Sequence, residues 1–303
     1  MNLKHFDKRV IIGAGIAASA VAAAGAVAVG SRVVRAVQAG LGAGVKTIKL
    51  SDGSKARVLK SGGVYQSATY AGDRWAEPVF EYYRGFDAMF DAEPEMLNTQ
   101  AHGIDRVLML GGGGFAYPKH ALMQREGLSM HVVEVDPKVI QTARRKFYLD
   151  KLEEEVGERL TVITADARVY LEQTAADEAA DRYDVIVNDC FDGSKPVRSV
   201  ATVQALKLAK ACLNKGGLYL ANIVSANEGA DVSYLRDATA TAKKVFKHAW
   251  VLQTSDEELG GEDNYLLIAS DAKYAFADAV PFDRTFVGKP LKDKRRLLGR
   301  SRR

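Results

Sequence analysis

Short apolar runs alternate with longer stretches of helical spacing through the second two-thirds of the chain. Runs near 106–110 (RVLML), 130–134 (MHVVE), 159–163, 183–188 (YDVIVN), 217–222, 248–252 and 264–269 are brief, continuous and rich in Val, Leu and Ile. Such runs predict strands covered on both faces, as in a parallel sheet flanked by helices. Between them, 116–126, 137–148, 166–173, 200–213 and 231–246 repeat apolar residues every three or four positions and predict helices. Asn214-Lys215-Gly216-Gly217 has the residues of a C-cap turn closing the helix at 200–213. The last two strands are joined by a polar link too short for a crossover helix, and so predict an antiparallel pair.

Upstream, VKTIKL, KARVLK and GGVYQSATY are separated by polar turns such as SDGS and predict consecutive strands. The stretch EPVFEYYRGFDAMF, from Glu77 to Phe90, places apolar and aromatic residues at helical spacing, with Tyr82, Phe86 and Phe90 packing one helix on the sheet. The expected organisation is a hydrophobic segment and linker over 1–45, a small β region plus helix over 46–100, the main α/β domain over 101–275 and a basic tail over 276–303.

The 303 residues are 47% hydrophobic, ordinary for a globular chain. The net charge of +4 is unevenly spread, because residues 1–60 hold ten Lys/Arg against Asp7 and Asp52, and residues 289–303 hold eight against Asp293. The middle is therefore strongly acidic, and a uniformly basic nucleic-acid binder is excluded. Residues 10–30 carry no charge over 21 positions, enough to span a bilayer as a helix. The start of this segment imitates a dinucleotide fingerprint, but no acid follows before Asp52; small residues near its end would suit signal cleavage and export. An uncleaved anchor, an N-terminal hydrophobic helix, is the reading adopted. The basic tail at 289–303 would suit an anionic membrane surface.

Chemistry concentrates at the ends of the predicted strands. After RVLML come Gly111 to Gly114, where the backbone can turn tightly and lie against a ligand. Glu134 ends the next strand, placed to accept hydrogen bonds from ribose hydroxyls, and Asp166 and Asp189 follow two further strands. Ligands of open α/β sheets bind at that edge. A phosphate-binding GxGxxG is absent here, and the spacing of the acids suits an S-adenosylmethionine type of sheet: a doubly wound, mostly parallel, seven-stranded, Rossmann-like fold of methyltransferase type. Cys190 and Cys212 are too few for a disulfide framework, Cys190 reads as a packing residue, and no His/Cys cluster has metal-ligand spacing, so no metal is expected.

GGVYQ, VLMLGGGG, VVEVDPKVI, ITADARVYL and YDVIVNDCFDG, in this order, resemble spermidine synthases, and DCFDGSKPV is most similar to their divergent bacterial branch. The resemblance covers roughly residues 46–272. It implies S-adenosylmethionine or its decarboxylated form as donor, with Gln66, Gly111, Gly112 and Gly113 bordering it, Glu134 holding the ribose, and Asp166 with the Ala167 backbone meeting the adenine. It implies Asp189 as the catalytic acid and Asp192 as the second acid of a gating loop. It further implies a cationic small-molecule acceptor, a homodimer and, since such donors are kept in the cytosol, a catalytic domain on the cytoplasmic side of the membrane.

The chain departs from the synthase pattern at Gly114, where an acid is usual, at FEYYRGF, which stands in place of a tyrosine-histidine-glutamate segment, and at Asn188. Three functional classes follow: a spermidine-synthase-like transferase, a small-molecule methyltransferase on the same sheet, and a non-catalytic, membrane-attached nucleoside-binding module.

Overall fold

The computed structural model describes residues 44–61, 64–100, 102–193, 195–225, 232–254, 263–279 and 286–293. The expected anchor at 10–30 lies outside them; among the described residues no helix is long and apolar enough to cross a membrane. The described residues begin with an antiparallel sheet in the order β1 (Gly44–Lys49), β2 (Lys55–Ser61), β3 (Val64–Tyr70). The turn from β1 to β2 is closed by Gly53 at φ +85° and by the Asp52 carboxylate, which accepts from the Ser54 amide at 2.8 Å.

The single helix expected over 77–90 is broken up. Helix α1 covers only Tyr82–Gly85, a 3-10 helix follows at Phe86–Ala92, and α2 spans Glu93–Gln100. Gly85, at the junction of the first two pieces, is pressed onto a neighbouring strand: a Cβ there would lie 2.3 Å from Thr254 Cγ2. Phe80, Tyr83, Phe86 and Tyr117 pack ring against ring beside it.

The main sheet has seven strands. In chain order these are β4 (Arg106–Leu110), β5 (Ser129–Glu134), β6 (Leu160–Thr164), β7 (Tyr183–Asn188), β10 (Leu213–Ser225), β11 (His248–Thr254) and β12 (Asp263–Ser270). The short pair β8 (Phe191–Asp192) and β9 (Lys195–Pro196) forms a separate hairpin. The spatial order is β11-β12-β10-β7-β4-β5-β6. All neighbours from β10 to β6 are parallel, and β12 runs antiparallel between β10 and β11, as the short link predicts.

Helices α3 (Ala116–Gln124), α4 (Pro137–Lys146) and α5 (Leu149–Val156) share one apolar face with the N-terminal sheet, and α6 (Ala167–Ala176), α7 (Val203–Cys212) and α8 (Ser233–Val245) cover the other. The helix expected to end at 148 stops at Lys146; Tyr148 takes φ +60° and the chain restarts as α5. The expected C-cap turn at Asn214–Gly217 is instead a bulge inside β10. Leu213 pairs with Tyr183 but Leu218 with Val185, and Gly216 sits at φ +76° between them. Tyr274 and Ser270 hydroxyls take the Gly216 carbonyl, and Ser270 also takes that of Gly217, which stabilises the bulge.

Lys119 of α3 is fully buried, donating to Thr69 Oγ1 at 2.8 Å and to the Phe147 carbonyl at 2.9 Å. Two acceptors are what a neutral amine can serve, and burial, aided by Arg57, pushes its pKa down to about 7. Because the unfolded state keeps the proton to higher pH, this group makes the fold more stable as pH rises above 7. Relative to Lys119→Met, the wild type is expected to gain roughly 3 kcal/mol between pH 7 and 9.5. Urea unfolding of both proteins across that range checks this, and parallel pH curves would refute it.

Beyond β12, residues 286–293 lie across α8 and α7 as a strap. Lys289 N donates to Asp237 Oδ1, Leu291 N to Thr241 Oγ1, and Val203 N to the Leu291 carbonyl. The described part of the expected basic tail is thus docked on the fold, with Leu291 buried.

Candidate active site

The strand ends β4, β5 and β7 meet beneath β3. Gly111 (φ +95°) and Gly113 (φ +49°) turn the chain after β4, and the Asp189 amide closes on the Leu110 carbonyl at 2.9 Å. A Cβ on Gly111 would lie 2.5 Å from the Asp189 carbonyl oxygen. Gln66 and Ser67 of β3 pass close over Gly113, within 4 Å of where its Cβ would stand.

Glu134 Oε2 accepts from the Gly112 and Gly113 amides at 3.0 and 3.1 Å, and Oε1 from the Asp136 amide at 3.0 Å. The glycine amides that would cradle a phosphate elsewhere are therefore neutralised by the protein's own carboxylate. The loop suits an uncharged sugar better than a pyrophosphate. Val135, between the two acids, is 64% exposed, an apolar side chain left uncovered at the rim.

One strand further, Asp166 caps α6, its Oδ1 accepting from Arg168 and Val169 amides at 2.8 and 3.0 Å. Ala167 opens that helix. Both lie at the same sheet edge as Glu134, since Glu134 pairs with Thr164 in the register of β5 and β6.

Asp189 is half-buried just past β7. Asn222 Nδ2 donates to its Oδ1 at 2.9 Å. Ala221 pairs with Asn188, so Asn222, still within β10, stands beside Asp189 just past the end of β7. Burial pushes the Asp189 carboxyl up to about 7, although the Asn222 hydrogen bond works the other way. Tyr83 of α1 is buried; burial, and then the negative charge of Asp189, push its hydroxyl far above the usual tyrosine range, so it stays neutral. Burial likewise raises the Cys190 thiol, helped by Asp189, Glu134 and Asp166, which makes it a packing residue and not a thiolate.

Asp192 is exposed on the hairpin, opposite Lys195 in the ladder. Gln66 Nε2 donates to the Gly193 carbonyl at 3.0 Å, tying β3 to the hairpin tip. The structure thus gathers Gln66, Gly111–Gly113, Glu134 and Asp189, sets Asp166 and Ala167 one strand away, and places Asp192 on the exposed hairpin opposite Lys195, while Asn222 holds Asp189. Sequence reasoning missed Asn222, whose one signal is an amide inside the apolar run LYLANIV, and assigned no role to Tyr83. Asn188, unexplained by sequence, donates to Tyr219 and accepts from the Cys190 amide, pinning the strand end under the hairpin.

Gly114 has a physical reason. A Cβ there would fall 2.5 Å from Ser67 Oγ and 2.9 Å from Phe147 Cδ1, so the space an acid would need is already filled.

A seven-stranded sheet, parallel but for β12, with a glycine loop closed on a strand-end glutamate and an acid past the fourth parallel strand is a fold of methyltransferase type. Residues 95–255 match the spermine/spermidine synthase domain, and the chain belongs to that family. A polyamine aminopropyltransferase of Vibrio vulnificus is 29% identical over 189 residues, which cover 62% of this chain and 56% of the relative. The chain spans about half the length of the curated relatives it matches. The fold is shared with a probable spermidine synthase from Corynebacterium glutamicum at TM-score 0.58 and 22% identity, covering 76% of this chain and 78% of that one. It is also shared with human methyltransferase-like protein 13, solved with SAH, at TM-score 0.54 and 22% identity, covering 65% and 86%.

Proposed function

We propose that the chain is a spermidine-synthase-like transferase that moves an aminopropyl group from decarboxylated S-adenosylmethionine to a cationic amine. The observation that carries this is Asp189: a carboxyl past β7, held by Asn222 against the glycine loop, whose burial raises it toward neutral pH. In this reading Glu134 meets the ribose, and Asp166 with Ala167 the adenine. Val135 covers a face of the base, and Gln66 holds the hairpin over the donor.

The acceptor amine gives a proton to Asp189 and attacks the carbon next to the sulfonium. The new C–N bond forms as the C–S bond breaks, and neutral methylthioadenosine leaves. The sulfonium is a good leaving group, so alignment supplies much of the remaining effect. The acidic middle of the chain favours a cationic acceptor. A cytosolic donor would place the catalytic region on the cytoplasmic side.

A second reading is methyl transfer from S-adenosylmethionine. It is favoured by Gly114, because the acid that would grip the amine of a decarboxylated donor is replaced by the uncharged Ser67. Calorimetry with both donors and methylthioadenosine decides. Tighter binding of the decarboxylated donor is expected. Preference for the carboxylated donor would favour methylation, and no binding by any of them would reject both transferase readings.

A further inference from the structure

We propose that the carboxyl-terminal strap 286–293 is a working part of the donor site, with Asp293 as a positioning residue that sets the adenine corner against the hairpin. The inference rests on the donor-site reading above. Arg168 connects the two. Its backbone amide holds Asp166, and its guanidinium forms a fork on Asp293, NH1 to Oδ1 at 3.3 Å and NH2 to Oδ2 at 3.1 Å. The same guanidinium donates to the Ser199 carbonyl at 3.1 Å and to Glu172 at 2.8 Å. Ser199 belongs to the turn that leaves the hairpin β8–β9.

On its other side Asp293 Oδ1 accepts from Thr202 Oγ1 at 2.6 Å, and Thr202 is the N-cap of α7. The Asp293 amide in turn donates to Gln204 at 3.1 Å. Burial opposes ionisation of Asp293, but hydrogen bonds from Thr202 and Arg168 outweigh it and hold the carboxyl below the ordinary range. One carboxylate therefore joins the first turn of α6, the exit of the hairpin and the start of α7.

The strap is fixed well before it reaches this point. Besides the Lys289 and Leu291 amide bonds, Gly288 lies so close to α8 that a Cβ would fall 2.1 Å from the Arg236 carbonyl oxygen. The Arg168 side chain is only 19% exposed, and the contact is two-pronged, unlike a loose surface ion pair. Loss of this hub would let α6 and the hairpin exit shift independently, moving Asp166 and Ala167 relative to Gly193 and its Gln66 latch.

The test uses the full chain with methylthioadenosine as the calorimetric probe. Asp293→Asn keeps the size and the Thr202 acceptor but removes the charge; it is expected to weaken binding by roughly five- to twenty-fold, and Asp293→Glu is expected to restore most of it. Hydrogen exchange is expected to quicken in Asp293→Asn at 167–170 and 198–203 while 106–110 is unchanged. Unaltered affinity in Asp293→Asn, with the wild type binding, overturns the inference alone. So does a loss accompanied by faster exchange at 106–110, which would mark a merely structural role. A wild type that binds no nucleoside overturns the donor reading and this inference with it. If Asp293→Asn does not fold, Arg168→Lys, which keeps the charge and loses the fork, carries the same expectations.

Discussion

Asp189→Asn is expected to lower turnover by about 10²–10⁴-fold, the range for loss of a positioned base, while methylthioadenosine affinity stays within a few-fold. The geometry separates the two effects. In the proposed reading donor contacts come from the glycine loop, Glu134 and Asp166, whereas the Asp189 carboxylate is held by Asn222. With its carboxyl held near 7, the wild type is expected to show kcat/KM rising with pH and levelling off above about 7, since only the ionised form accepts the amine proton. Stability runs the opposite way. The folded carboxyl keeps its proton to higher pH than the unfolded one, whose ordinary value is 3.8, so this group's stabilisation is present below about 4 and lost as pH rises through about 7. Asp189→Asn is therefore expected to melt no lower than the wild type at pH 8, and relatively lower at pH 5. Turnover that survives the substitution would assign the base elsewhere.

Gly111→Ala is expected to be the most damaging small substitution in the site. It places a Cβ 2.5 Å from the Asp189 carbonyl oxygen and 2.9 Å from its carbon, at φ +95°, where L side chains are strained. The atoms in the way are backbone and cannot swing aside. Relief requires β4 and the Asp189 segment to separate, which moves the acid as well. A loss of about 3 kcal/mol or more in urea unfolding, together with loss of turnover, is expected. Gly127→Ala is the control, because nothing lies within 4 Å of its Cβ position. Equal behaviour of the two variants would contradict the close approach of the glycine loop to Asp189.

Much of this was legible because each parallel strand is a continuous apolar run ending in a polar residue. RVLML before the glycines, MHVVE, and YDVIVN before Asp189 announce both the strand and the side chain at its tip. The antiparallel last pair followed from the length of its link. What was not legible depends on tertiary contact. The stretch 77–90 has helical spacing, which does not tell an α-helix from the 3-10 turns that take over at Phe86, and nothing local announces that Gly85 is pressed against Thr254. Asn214–Gly217 has the composition of a cap, but Ser270 and Tyr274 draw it into a strand bulge. Gly114 reads as a missing acid until β3 is seen to put Ser67 in that space. Asp293 looked like the single acid of a charged tail, since nothing local shows that Arg168 and Thr202 await it.

The buried face shared by the N-terminal sheet and the main sheet crosses the boundary expected near residue 100 without a break: Ala56, Val58 and Tyr70 belong to the same apolar cluster as Val107, Met130 and Leu220. The proposed donor site lies on that seam, with β3 contributing one wall and the strand ends the other. A nucleoside held there would act as a thermodynamic rivet: binding free energy gained at the seam would stabilise both parts together and couple occupancy to the cooperativity of the whole fold.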